Sequence, residues 1–335
     1  MEQTGVRRLR RRSRWLAGCV ASAMAVLGVG AGTASATAPR GASAPVGVGD
    51  AGAAASGAAA VTGRAADILS APTLVAHTAE GEIGYREVGE GSPIVLVMGY
   101  GGSMDTWAPA FVDSLAAQHT VVVFDNAGVG QTTDLPAPLT VPAMADQTSA
   151  LISALRLHRP AVLGWSLGGM VAQALAVRHP GQVSQLVLAA TQAGTGASLP
   201  VPPAAAAALN SPNPAVVLSV LFPADQAAAA RAYGQGILQY PDFYQASAAV
   251  KTAQNAALAQ WMAGDDPAGR AVGRIRVPVL VADGRSDALD PTANDVLLAH
   301  SLRRARLVLY PDAGHAFLFQ DAAEFVPTVE RFLDR

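Results

Sequence analysis

The run Gly164-Trp165-Ser166-Leu167-Gly168-Gly169 joins two segments of opposite character. Before it, Ala161–Trp165 is short, apolar and suited to a buried strand; after it, Leu167–His179 has the composition of a helix. A serine at such a junction, with small residues two positions to either side, implies a tight turn with no room for side-chain bulk, which explains Gly164 and Gly168. The turn projects the Ser166 hydroxyl clear of a sheet. It also sets that hydroxyl over the first N–H groups of a helix, where developing negative charge is favoured. Ser166 is therefore the candidate nucleophile, and the junction demands a sheet around it.

The rest of the chain supplies one. Thr73–His77 and Glu82–Val88 flank Glu80-Gly81 as an opening hairpin. Short β-rich runs follow at Ile94–Met98, Thr120–Phe124, Ala161–Trp165, Val183–Ala189, Val277–Ala282 and Arg306–Tyr310. Helical segments alternate with them at Ala108–Gln118, Ala143–Leu157, Leu167–His179, Thr292–Leu302 and Ala322–Leu333. The alternation predicts an α/β fold, a mostly parallel sheet with helices on both faces. One stretch, about 195–274, lacks a buried strand and carries prolines and alanine runs, and reads as a helical lid inserted between two strands. Its aromatics, Phe222, Tyr233, Tyr240, Phe243, Tyr244 and Trp261, either line a pocket or form the insertion's own core.

The first 36 residues read as a signal peptide. Arg7, Arg8, Arg10, Arg11, Arg12 and Arg14 precede an uncharged apolar run from Trp15 to Gly30, and Ala34-Ser35-Ala36 offers a cleavage site after Ala36. That run is shorter than the ~20 residues a membrane span needs, so no stable span is expected after processing. Export by the general or the twin-arginine route is equally open. Leu16-Ala17-Gly18-Cys19 is spelled like a lipidation site but stands at the start of the apolar run instead of after it. Cys19 is the only cysteine, so a chain cut after Ala36 has no disulfide and no thiolate metal site. The cut would leave 17 basic residues against 24 acidic, a net charge of −7 where the full chain has −2, which gives no electrostatic reason to bind nucleic acid. Residues 37–70, nearly all small, read as a flexible leader, and 71–335 as the folded domain. Lys251 is the only lysine beside 22 arginines.

A serine hydroxyl needs a base. His119, His158 and His179 stand at helix ends, where a solvated cation suits the helix dipole; His77 lies in the hairpin and His300 on a surface helix. His315, in Asp312-Ala313-Gly314-His315-Ala316-Phe317, follows the last strand, at the end of the sheet where ligands are met. It is the expected general base and acid. The orienting carboxylate is sought after the strand Val277–Ala282, where Asp283, Asp287 and Asp290 compete. Asp283 can brace the turn and Asp290 can cap the next helix, which leaves Asp287 to face His315, with Asp290 as the fallback. Backbone N–H groups must hold the oxyanion: Leu167 supplies one, and Tyr100 in the loop Gly99-Tyr100-Gly101-Gly102-Ser103 is the candidate for the second. That loop lacks the Gly-Lys-Ser/Thr ending of a phosphate loop.

Together these residues resemble the α/β-hydrolase superfamily over about 73–335. The order Ser166, Asp287, His315 is that of the family, as are Gly284-x-x-Asp287-x-x-x-Pro291, Gly314-His315 and Phe124-Asp125-Asn126-Ala127-Gly128-Val129-Gly130. Ala127 replaces an arginine usual in the last of these, and Met98-Gly99-Tyr100 stands where the family has His-Gly. The resemblance implies a serine esterase- or lipase-like hydrolase with a helical lid, acting on a small-molecule ester or amide without metal or organic cofactor. Aminopeptidase or perhydrolase chemistry on the same residues, or a binding protein on a dead scaffold, are the alternatives. A serine in this position argues against epoxide hydrolases and dehalogenases, which use a carboxylate.

Overall fold

The computed structural model describes residues 66–334. The expected signal peptide, Cys19 and most of the leader lie outside the described residues. Eight strands form one sheet: β1 (Leu74–Thr78), β2 (Gly81–Val88), β3 (Ser92–Val97), β4 (His119–Phe124), β5 (Ala161–Trp165), β6 (Leu186–Ala189), β7 (Val279–Gly284) and β8 (Ala305–Tyr310), in the order β1-β2-β4-β3-β5-β6-β7-β8. The β1–β2 hairpin joins antiparallel to β4, and every pairing from β4 to β8 is parallel.

Eleven α-helices accompany the strands among the described residues: α1 (Pro109–Ala116), α2 (Val141–Ala154), α3 (Leu167–Arg178), α4 (Pro203–Leu209), α5 (Pro214–Leu221), α6 (Ala227–Ile237), α7 (Ala248–Met262), α8 (Pro267–Arg270), α9 (Ala293–Ser301), α10 (Phe317–Gln320) and α11 (Ala322–Leu333). The middles of the central strands are continuous apolar runs because both faces are covered. Ile94 and Leu96 of β3, with Val121 and Val123 of β4, pack on one side with Phe111 of α1 and Phe325 of α11. Their neighbours Val95, Val97, Val122 and Phe124 pack on the other side with Met144 of α2, Leu175 of α3 and Leu298 of α9. The two-residue period of a strand thus divides a continuous apolar run between two cores.

Three expectations need correction. Ile68, assigned to the leader by a boundary at residue 70, is fully buried in the first core, and its N–H donates to Asp113 Oδ1 at 2.8 Å, so the packed body begins before residue 71. His119 is not a solvated helix cap but the first residue of β4, buried, with Nε2 2.6 Å from Glu330 Oε2 of α11. Asp290 does not cap α9, whose N-cap is Thr292; its Oδ1 instead accepts from Asn294 Nδ2 at 2.7 Å.

The segment between β6 and β7 is helical throughout its ordered elements, α4 to α8, as its composition implies. Among the described residues, no single helix is long and apolar enough to cross a membrane.

Candidate active site

β4 and β5 lie on opposite sides of β3, so the chain reverses its direction of strand addition there, and the loops after β3 and β5 meet at the carboxyl edge of the sheet. The turn after β5 carries Ser166 at φ 57°, ψ −121°, a backbone conformation that an L-residue adopts only under strain. Surrounding bonds hold it: Ser166 N–H donates to Ala189 O (2.8 Å), and its carbonyl accepts from Gly169 N–H (2.9 Å) and Thr191 Oγ1 (2.7 Å). The flanking glycines are steric requirements. A Cβ on Gly168 would fall 2.0 Å from Val97 O, and one on Gly164 would fall 2.3 Å from Gly168 O.

The Ser166 carbonyl takes the N–H groups of Gly169 and Met170, so those of Leu167 and Gly168 are left open at the start of α3. Gly99 presses its backbone against the turn, where an added Cβ would lie 3.2 Å from Ser166 Cβ. This brings Tyr100 to the wall of the cavity in front of the serine. Its hydroxyl donates to Asn210 Oδ1 (2.5 Å), just after α4, and accepts from Asn255 Nδ2 (2.9 Å) of α7.

His315 stands in the loop after β8, with Nδ1 2.6 Å from Asp287 Oδ2. Asp287 Oδ1 accepts the N–H groups of Leu289 (2.6 Å) and Asp290 (2.8 Å), so both carboxylate oxygens are engaged and the side chain is fixed. Burial of the imidazole opposes its charge, yet the Asp287 charge and hydrogen bond, with Asp290 behind, raise the His315 pKa above 6.5. The indole N–H of Trp165, beside the nucleophile in sequence, donates to the His315 carbonyl at 2.9 Å. That brace couples the base loop to the serine turn. Sequence reasoning missed it, because an apolar strand position gives no sign of which way an indole nitrogen points.

A trio of acids lies beside this pair. Asp283, Asp290 and Asp295 are all buried, with ligand oxygens within 4.8 Å of one another, and they are the described residues arranged as a metal could require. Burial first, then mutual charge, drives their pKa values up: Asp290 to about 7, Asp295 to about 8, and Asp283 well above its ordinary value. Four carboxyl oxygens of the trio receive no N–H or hydroxyl hydrogen bond from outside it. Burial and the neighbouring Asp287 charge thus favour the protonated form of each of these carboxyls more than in a free aspartate.

Two cavities of about 540 and 390 Å³ open at Ser166, and both are lined by Tyr100, Ser166, Leu209 and His315. The larger is walled in part by apolar residues of α5 and α6, among them Val217, Leu218 and Ile237. Of the six aromatics of the insertion, Tyr233 and Phe243 line it. Phe222, Tyr240 and Trp261 are buried in the two cores, and the Tyr244 hydroxyl bonds Asp125. Ala127, in place of an arginine, is fully buried.

This arrangement has relatives. A family model for the alpha/beta hydrolase fold matches residues 92–322. A protein of Caulobacter sp. (strain K31) that bears the name carbamate hydrolase is 32% identical over 253 residues, 72% of this chain and 90% of its own. A poly(3-hydroxyalkanoate) depolymerase of Ectopseudomonas oleovorans is 28% identical over 251 residues, 73% of this chain and 85% of its own. Among solved structures, an alpha/beta hydrolase fold protein from Chitinophaga pinensis matches with a TM-score of 0.70 at 27% identity, over 80% of this chain and 99% of its own. The chain belongs to the α/β-hydrolase family.

Proposed function

We propose that the protein is an exported serine hydrolase that cleaves a small-molecule carboxylic ester through an acyl-enzyme on Ser166. The observation that carries this reading is Ser166 on its strained turn, in a cavity shared with His315, whose Nδ1 meets the fixed Asp287 carboxylate at 2.6 Å. In the proposed cycle, Ser166 Oγ attacks the ester carbonyl carbon and its proton passes to His315 Nε2. The carbonyl oxygen, now anionic, takes the N–H groups of Leu167 and Tyr100. Collapse breaks the bond to the leaving oxygen, which departs as the alcohol with the proton from His315. Water then gives a proton to His315 and attacks the acyl carbon; collapse breaks the bond to Ser166 Oγ, which takes that proton back from His315 as the carboxylic acid leaves. Asp287 keeps the imidazole in position and stabilises its charged form throughout.

The inserted segment from α4 to α7, helices and connecting loops together, would act as a lid over this chemistry, since it supplies most of the larger cavity's wall. Export would follow cleavage after Ala36, and the N-terminal sequence of the secreted chain tests it. Ser166→Ala should abolish turnover of p-nitrophenyl esters and labelling by a fluorophosphonate, with an unchanged circular dichroism spectrum. Full activity in that variant would overturn the assignment. The name of the Caulobacter relative favours carbamate cleavage as a second reading, and ester and carbamate substrates sharing one leaving group distinguish the two.

A further inference from the structure

The larger cavity is apolar on most of its wall, yet two of its lining side chains are cations and none is an acid. They are Arg231 of α6 and Lys251 of α7. Among the described residues, neither side chain has an ion pair or hydrogen-bond partner. Lys251 is also the only lysine in the chain, so it is not one of a general scatter of surface lysines.

The position of Lys251 is built into the fold. Gly101, the residue after Tyr100, leaves room for its stem: a Cβ there would fall 2.9 Å from Lys251 Cε and 3.5 Å from Cδ. The start of α7 is docked on the same glycine. Gly101 N–H donates to Gln254 Oε1 (2.8 Å), one helical turn beyond Lys251, and Gly101 O accepts from Ala246 N–H (3.1 Å). The stem is thereby carried across the loop that holds Tyr100, at the cavity wall. Lys251 is half-buried at this mostly apolar wall and Arg231 is exposed; the half-buried cation gives up part of its hydration without a partner among the described residues, and an anionic ligand would compensate that loss.

We propose that the larger cavity recognises an ester that also carries a carboxylate, with Lys251 and Arg231 binding that carboxylate while the ester carbonyl lies at Ser166. The proposal rests on the ester-hydrolase reading for its chemistry but on separate residues for its selectivity. Its substrates are half-esters of dicarboxylic acids or esters of comparable charge.

The test compares the mono-p-nitrophenyl ester of adipic acid with p-nitrophenyl hexanoate on the full chain. The wild type should favour the anionic ester, and added salt should erode the preference. Lys251→Gln should lower the ratio of anionic to neutral kcat/KM about tenfold, as expected for loss of one charge-assisted contact. Lys251→Arg should retain most of the ratio, and combining Lys251→Gln with Arg231→Gln should lower it further. A ratio near one in the wild type, or one unmoved by these substitutions, overturns the proposal. Calorimetry with adipate itself reads the anion site without turnover. Adipate binding weakened about tenfold in Lys251→Gln supports the site even if neither ester is cleaved, an outcome that would sink the ester reading alone. Equal adipate affinity in wild type and variant sinks the anion site alone.

Discussion

Replacing Asp295 with asparagine should make the protein's stability less sensitive to rising pH. Asp295 is fully buried, and no N–H group of another residue donates to either of its side-chain carboxyl oxygens; the nearest polar company is the carboxyls of Asp283 and Asp290. Burial, then the charge of Asp290, lifts its pKa to about 8, while Asp290 beside it rises to about 7. In the unfolded chain each reverts to about 3.9. Below about pH 4 both states hold the proton and the preference for the folded state is fully present. Between there and the raised folded pKa the folded state binds the extra proton, so stability falls as pH rises. Each such group contributes a slope of about −1.4 kcal/mol per pH unit in that window. Asparagine keeps the shape and cannot ionise, so it removes one such slope. Urea unfolding at several values between about pH 5 and 6.5 measures this as a difference, in which groups remote from the trio cancel. The stability of Asp295→Asn relative to wild type should rise by about 1.4 kcal/mol per pH unit. A difference that does not change with pH would refute the protonated trio. So would a calcium-dependent rise in the wild-type midpoint that is absent in the variant, because a cation there requires the acids ionised.

Two other perturbations test the machinery. With His315 raised above 6.5, kcat/KM should climb with pH along a limb whose midpoint lies above 6.5. Asp287→Asn should lower the plateau by about 10⁴-fold and move that limb to lower pH, read from pH–rate profiles of both proteins. Gly168→Ala should cost about 3 kcal/mol or more in urea unfolding, because its Cβ would sit 2.0 Å from Val97 O at the most crowded point of the turn.

The sheet was legible because burial on both faces leaves a mark in composition. β5 runs over Ala161–Trp165 as read from the sequence, and α11 over Ala322–Leu333. Where a boundary moved, a local signal had been outweighed. Val183 is apolar and buried, yet β6 starts only at Leu186, where the backbone enters register with Val279 of β7. His119 looked like a helix end because α1 stops just before it, and only the distant Glu330 shows that it is internal. The same limit applies at the site. Ser166, His315 and the acid loop are announced by local spacing. The Trp165 bond to the His315 carbonyl, the Tyr100 bridge to Asn210 and Asn255, and the stem of Lys251 over Gly101 join residues far apart in the chain, and no window of sequence contains both partners.

Those long-range contacts set what the two cavities can do. Tyr100 contributes its backbone to the loop facing the serine, while its hydroxyl is tied to the helical insertion at Asn210 and Asn255. Its ring and Leu209 line both cavities, so the barrier between them is built from the oxyanion loop and the end of α4 together. On the proposed reading, an ester with its carbonyl at Ser166 would present two substituents, one to each cavity. Movement of α4 or α7 would shift the barrier and strain the loop that carries the Tyr100 N–H. On the proposed mechanism, substrate size and oxyanion geometry would therefore be coupled through one side chain. Tyr100→Phe leaves the N–H in place and cuts the tether, so its effect should fall on the discrimination between long and short acyl chains more than on the rate for the best substrate.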